Sequence, residues 1–517
     1  MLHSGRLGIA ICILLVTLCF CFAQPAPRAK TGNGMVEGKT DGKVITFFGI
    51  PYAAPPVGDL RWKPPQPVAN WTGIRQATEF GHHCMQGNVF GPPNFPGAGP
   101  SEDCLLLSIW RPVTPASAKL PVMVWVHGGA FAAGAASLPV CDGANLARHG
   151  VIVVSFQYRL GIFGFLVHPE LAKESGQNSS GNYGLMDQVA ALRWIHDNIA
   201  AFGGDARNVT IFGESAGAQS VSALMASPLA KGLFQKAIGE SGSSFPSGAD
   251  SARLRSESDP KLVKEKLGVS TLAELRAVPG ETLLKTFGDA PLANKFQNVD
   301  ADGYFLPTPT AAIFAAGKQN DVSLLVGWNH DEAGPGFTQP PSLERMKARI
   351  NREFPDKADE VLKLYPLDTE ETRLRTFIDY RTDTWIGLLT WYWPEAQLAT
   401  GKRPVYRYRF DQGPVPKDPK APYYGADHSS DVQYVFGTLD SNHNMDWKSD
   451  DRHVSDIMMR YWTNFVKEGD PNGAGLANWP RYNAADGYPV MYLSPTPQAH
   501  KDDHRQRYLF LAREWRQ

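Results

Sequence analysis

The sequence predicts an α/β fold built on one doubly wound, mostly parallel sheet, and three features carry that prediction. Two apolar runs, Leu120 to Val126 and Gly150 to Phe156, show no polar alternation, as expected of strands buried on both faces. A helical pattern follows in Asp187 to Ile199, where Val189, Leu192, Trp194 and Ile195 fall near helical spacing. Alternation of strand and helix then continues over about 300 residues, the signature of a sheet covered on both faces.

Taken in order, residues 24–60 hold short apolar runs with turn residues between them, such as Lys43 to Ile50, and read as short antiparallel strands. After Leu120 to Val126 and Gly150 to Phe156 comes a third strand, Val209 to Phe212, with a helix starting at Ala216. Val322 to Gly327 and Val405 to Phe410 are two further strands. Ser455 to Lys467 is the last clear helix, stopped by Gly469-Asp470-Pro471-Asn472. Residues 245–320 and 335–400 read as mostly helical insertions that roof the carboxyl edge of the sheet, where open α/β sheets bind ligands. A chain of 517 residues suggests about three domains by length alone. No repeat, low-complexity linker or compositional break divides it, so residues 24–517 are expected to form a single domain.

The first 23 residues are read as a signal peptide. His3 and Arg6 precede the apolar run Leu7 to Phe22, and a small residue, Ala23, stands before the polar, proline-rich stretch from Gln24. Cleavage after Ala23 is expected to leave a secreted or periplasmic protein with no stable membrane insertion. The net charge is −1 with both signs interspersed, so nothing marks a nucleic-acid partner. Three of the six cysteines lie in the leader, which leaves Cys84, Cys104 and Cys141. An odd count permits one internal bridge. The Gly- and Pro-rich loop Gln86 to Pro100 lies between Cys84 and Cys104, and closing it is worth about 3 kcal/mol in the chain-entropy account. The bridge is therefore assigned there, with Cys141 free and buried.

The residues that carry chemistry centre on Gly213-Glu214-Ser215-Ala216-Gly217, directly after a buried strand and at the head of a helix. A serine on such a strand-to-helix turn is held in a strained backbone, and glycines on either side let neighbouring chain pass close. The helix N-terminus adds positive potential where an oxyanion forms. Because a serine hydroxyl is inert near neutral pH, it needs a base, an orienting acid and oxyanion donors. His127-Gly128-Gly129-Ala130-Phe131, after the first buried strand, suits the donor role with free backbone N–H groups. The acid is expected after Val322 to Gly327, where Asp331 and Glu332 are both eligible by spacing. Of the later histidines, His428 is favoured over His443, His453, His500 and His504, because it sits in a loop following Val405 to Phe410. There is no H-E-x-x-H, paired C-x-x-C, P-loop or dinucleotide glycine fingerprint, so neither metal nor cofactor is expected.

At these residues the sequence resembles the type B carboxylesterase and lipase family, which includes the cholinesterases, and within it the bacterial p-nitrobenzyl esterase kind. The resemblance runs through Phe48 to Ala53, Leu60-Arg61-Trp62, Ser101 to Leu105, Gln157 to Gly161, Gly181 to Gln188, Phe202 to Asp205 and Phe212 to Gly217. It implies an α/β-hydrolase fold and hydrolysis of carboxylic esters, of short to medium acyl or aryl type, through an acyl-enzyme. It further implies Ser215 as nucleophile, Glu332 as acid and His428 as base, with Gly129, Ala130 and Ala216 supplying the oxyanion N–H groups. The same resemblance implies the Cys84–Cys104 bridge and structural ion pairs Arg61–Glu102 and Arg159–Asp187. Two departures stand beside the triad: Ala333 and Ser429 occupy positions where the family has glycine. Glu214 is read as a supporting residue. Phe90, Phe95, Phe131, Phe245, Trp385, Trp391 and Trp393 are candidates for lining the substrate gorge. The same machinery would also serve an amide or carbamate.

Overall fold

The structure is a computed structural model that describes residues 26–90, 95–115, 117–245, 251–334, 341–367 and 369–514. The expected signal peptide, residues 1–23, lies outside the described residues, as do residues 91–94 of the loop Gln86 to Pro100. The first described strands form the antiparallel pairs expected of this region: Arg28–Lys30 with Met35–Glu37, and Lys39–Thr40 with Val44–Pro51.

Among the described residues the main sheet has eleven strands. They are β1 (Lys39–Thr40), β2 (Val44–Pro51), β3 (Leu106–Pro112), β4 (Leu120–Val126), β5 (Ile152–Phe156) and β6 (Gly204–Glu214). There follow β7 (Lys236–Glu240), β8 (Ser323–Asn329), β9 (Val405–Phe410), β10 (Pro489–Leu493) and β11 (Gln498–Lys501). Their order across the sheet is β1-β2-β3-β5-β4-β6-β7-β8-β9-β10-β11. From β5 through β10 every neighbouring pair is parallel, while β1 to β3 and β11 join antiparallel at the two edges.

The uninterrupted apolar runs have a direct physical cause. In β4, Val122, Val124 and Val126 enter one hydrophobic core while Met123 and Trp125 enter another on the opposite face. Ile152 and Val154 of β5 divide from Val153 in the same way, as does Ile211 of β6 from Phe212. The helices α1 (Tyr183–Asn198) and α2 (Ala216–Ala226) cover the first core. The helix α5 (Ser449–Glu468) covers the second with Val454, Ile457, Met458, Tyr461, Trp462 and Phe465.

The insertions are helical as expected and include α3 (Leu388–Thr400). The short helix α4 (Ser430–Phe436) follows the His428 loop. Several elements differ from the sequence reading. Helix α5 starts six residues earlier than Ser455, and it is followed by α6 (Arg505–Glu514) rather than being the last helix. Arginines obscure the period of α6, yet it buries Tyr508, Phe510 and Leu511 in a third core with the helical insertions. Strands β3, β7, β10 and β11 were not anticipated; in β7 only Ala237 and Ile238 are apolar between Lys236 and Gly239, and Gly239 lies pressed against the Trp393 ring.

Cys84 and Cys104 form a disulfide, and Cys141 is free and buried, as expected. Arg61 pairs with Glu102 at 2.6 Å and Arg159 with the fully buried Asp187 at 2.7 Å, both through two guanidinium nitrogens. The first pair joins two loops, and the second joins the segment after β5 to α1. Because β4, β6, β8 and β9 are parallel, the segments that follow them emerge at one edge. Those segments hold Gly129, Ser215, Glu332 and His428.

Candidate active site

Ser215 stands at the junction of β6 and α2 with φ 55° and ψ −121°, outside the ordinary regions for a side-chain-bearing residue. The turn closes because its neighbours lack side chains. A Cβ on Gly217 would lie 2.0 Å from the carbonyl oxygen of Val126, and one on Gly213 would lie 2.7 Å from the same oxygen. The Ser215 N–H donates to the Glu240 carbonyl of β7 at 2.9 Å, which pins the strained residue to the sheet.

The elements named from the sequence converge on its hydroxyl. His428 Nε2 lies 3.0 Å from Ser215 Oγ, and His428 Nδ1 lies 2.5 Å from Glu332 Oε2. Glu332 is fully buried, and its other oxygen accepts the Ser241 hydroxyl at 2.5 Å and the Asn329 N–H at 2.7 Å. Three-point anchoring of this kind fixes the carboxylate plane and so the imidazole it faces. Asp331, which spacing left level with Glu332, instead accepts the Ala426 N–H at 2.9 Å and pairs with Arg375. His500 stacks on Tyr492 at 3.8 Å and His504 lies 3.3 Å from Arg507, so both are engaged elsewhere.

Electrostatics at the imidazole are set by burial and by neighbouring carboxylates. Burial pulls the pKa of His428 down, but the carboxylates of Glu214 and Glu332 outweigh it and raise the pKa to about 9. Glu214 is itself buried, which raises its pKa to about 7, and its Oε1 stands 3.3 Å from His428 Nε2. That oxygen also accepts the Ser429 hydroxyl at 2.5 Å.

The loop after β4 packs on the same turn. A Cβ on Gly128 would meet the Glu214 carbonyl at 2.8 Å, so this loop and the elbow touch through backbone. Gly129 and Ala130 both adopt positive φ, 105° and 54°. The Gly129 carbonyl accepts the N–H groups of Ala132 and Ala133, which curls the loop on itself. Among the described residues no acceptor takes a hydrogen bond from the N–H of Gly129, Ala130 or Ala216. Three unpaired donors beside one serine are what a developing oxyanion requires. His127 is structural: Tyr158 stacks on it at 4.4 Å, and burial lowers its pKa to about 4, keeping it neutral.

A cavity of about 430 Å³ opens beside these groups, lined by Phe90 and Phe95 of the disulfide-closed loop and by Gly129, Glu214 and Ser429. Trp385 is 43% exposed with its ring 5.0 Å from that of His428. The remaining gorge candidates are core residues. Phe131 packs on Phe165, Phe245 on Phe314, Trp391 on Tyr508 and Trp393 on Gly239. An aromatic residue fills a hydrophobic core as readily as it lines a pocket, and sequence offers no way to separate the two. Ser241 and Asn329 were missed. Their one signal is position, at the carboxyl ends of β7 and β8.

Comparison with known proteins agrees with this geometry. A model of the carboxylesterase family matches residues 25–511. The fumonisin B1 esterase of Sphingopyxis macrogoltabida is 38% identical over 478 residues, covering 89% of this chain and 85% of that protein. The para-nitrobenzyl esterase of Bacillus subtilis is 39% identical over 473 residues, covering 88% of this chain and 92% of its own. A solved PNB esterase superposes with a TM-score of 0.79 at 37% identity, covering 94% of this chain and 99% of the other. The chain belongs to the carboxylesterase family, has the α/β-hydrolase fold, and is a carboxylic ester hydrolase.

Proposed function

We propose that this protein is a secreted serine esterase that cleaves short to medium acyl or aryl esters through an acyl-enzyme on Ser215. The observation that carries the reading is the unbroken chain from Ser215 Oγ to His428 Nε2 (3.0 Å) and from His428 Nδ1 to Glu332 Oε2 (2.5 Å). In the first half-reaction Ser215 Oγ bonds to the ester carbonyl carbon while its proton passes to His428 Nε2. Glu332 balances the imidazolium, and the N–H groups of Gly129, Ala130 and Ala216 hold the oxyanion. Collapse breaks the bond to the alcohol oxygen, which leaves with the proton from Nε2. Water then attacks the acyl-serine by the same route, releasing the acid and restoring Ser215.

Residues 24–517 act as one domain in this reading, after removal of residues 1–23. Export is supported by the leader-like N-terminus and by the Cys84–Cys104 bridge, which suits an oxidising compartment. Among the described residues no helix is long and apolar enough to cross a membrane. The apolar cavity beside Ser215 and the exposed Trp385 support acyl or aryl groups as the substrate's apolar part.

The test is hydrolysis of p-nitrophenyl butyrate by the purified protein and by Ser215→Ala. Loss of kcat by about a millionfold is expected, the scale seen when a serine triad loses its nucleophile. Turnover that survives the substitution would overturn the assignment.

A further inference from the structure

The residue after His428 combines a strained backbone with a specific hydrogen bond. Ser429 has φ 69° and ψ 4°, the left-handed region that favours glycine. At the other end of α4 the chain uses glycine for the same conformation, with Gly437 at φ 66°. Strain kept at a residue in contact with the reacting groups calls for a functional reason.

The side chain supplies one. The Ser429 hydroxyl donates to Glu214 Oε1 at 2.5 Å and is the only side-chain hydroxyl or amide that donates to that carboxylate among the described residues. The same Oε1 lies 3.3 Å from His428 Nε2, while Ser215 Oγ lies 3.0 Å from it. Nε2 thus faces two acceptors. For turnover its proton must go to the leaving oxygen, and a bare, buried carboxylate would compete for it.

We propose that Ser429 is a positioning residue for ester hydrolysis, whose hydroxyl occupies Glu214 Oε1 and leaves the His428 Nε2 proton free for the alcohol. This rests on the triad reading above. It also makes Ser429 a working part of this site.

Ser429→Ala removes the hydroxyl and keeps the strain, whereas Ser429→Gly removes both. If the hydroxyl acts, both variants lose kcat on ethyl acetate, whose ethanol must take a proton as it leaves, by about tenfold, the scale of one hydrogen bond to a charged group, and lose less on p-nitrophenyl acetate, whose phenolate leaves unprotonated. KM should stay within about twofold, because substrate binding is untouched. Their thermal midpoints should diverge, with the glycine variant no less stable than the parent. Ser429→Thr should recover most of the lost kcat. In a Glu214→Gln background, adding Ser429→Ala should change kcat by less than about twofold, since the competing carboxylate is gone. Unchanged kcat in Ser429→Gly, or an undiminished loss in the Glu214→Gln background, overturns the proposal. Failure of the triad reading shows separately, as turnover that persists in Ser215→Ala.

Discussion

Asp331 and Ala426 are joined in both directions: the Asp331 N–H donates to the Ala426 carbonyl at 2.9 Å, and Asp331 Oδ2 accepts the Ala426 N–H at 2.9 Å. This double contact fastens the loop after β8 to the loop after β9, so Glu332, one residue beyond Asp331, and His428, two residues beyond Ala426, are brought together. Gly425 tightens the junction, for a Cβ there would lie 2.1 Å from Asp331 Oδ2.

The two adjacent acids should therefore respond differently to substitution. Glu332→Gln is expected to lower kcat by about ten-thousandfold at unchanged fold, as when a triad's orienting acid loses its charge. Asp331→Asn keeps the shape but weakens the loop junction, and is expected to cost about 1–3 kcal/mol of stability. Its effect on kcat should be about tenfold, because it acts through His428 placement. Circular dichroism melts beside kcat for both variants check this, and equal kcat losses would refute the division of roles.

That division also marks the limit of what sequence can supply. Five of the seven parallel strands, the elbow and the histidine loop are legible because each rests on a local pattern: an apolar run, a glycine spacing, a loop following a strand. Asp331 and Glu332 share one such pattern, and only side-chain direction separates them. Ser241 is invisible for a related reason. Its contact with Glu332 spans 91 positions, and β7 before it has only Ala237 and Ile238 as an apolar run. Helix α6 was lost because it packs on the inserted helices, whose own placement the chain pattern does not give.

The pH dependence follows from the carboxylates around His428. Its pKa is raised to about 9 against burial, chiefly by Glu214 and then Glu332. The base works only when neutral, so kcat/KM should rise with pH through a limb above the ordinary imidazole value of 6.5. Glu214→Gln removes the first of those charges, and the limb should move to lower pH. For stability the sign is the reverse. A histidine whose folded pKa is raised contributes fully below its unfolded value and loses that contribution as pH climbs toward the folded one. Thermal midpoints should thus fall between pH 6.5 and about 9, and fall less in His428→Gln. A limb that Glu214→Gln leaves in place, or moves upward, would contradict this account.

Trp385 offers the clearest route to substrate preference. It sits in a π-helical turn, Asp383–Gly387, between the helix Glu370–Thr382 and α3. Such turns often mark functional positions, since one extra residue re-aims a side chain. Here the turn is anchored from below. Asp383 accepts the hydroxyls of Tyr365 at 2.8 Å and Tyr508 at 2.6 Å, and Thr382 Oγ1 accepts the Ala333 N–H at 3.3 Å. The ring is thereby held 5.0 Å from His428 while 43% exposed, an apolar surface open in part to an incoming substrate. Stacking of an aryl group there is worth roughly 1 kcal/mol beyond the area it buries. Trp385→Ala should raise KM for p-nitrophenyl butyrate by about tenfold, with a smaller change for ethyl acetate. Trp385→Phe should fall between the two. If both esters shifted alike, or if kcat fell with KM fixed, Trp385 would be supporting His428 rather than binding the substrate's apolar group.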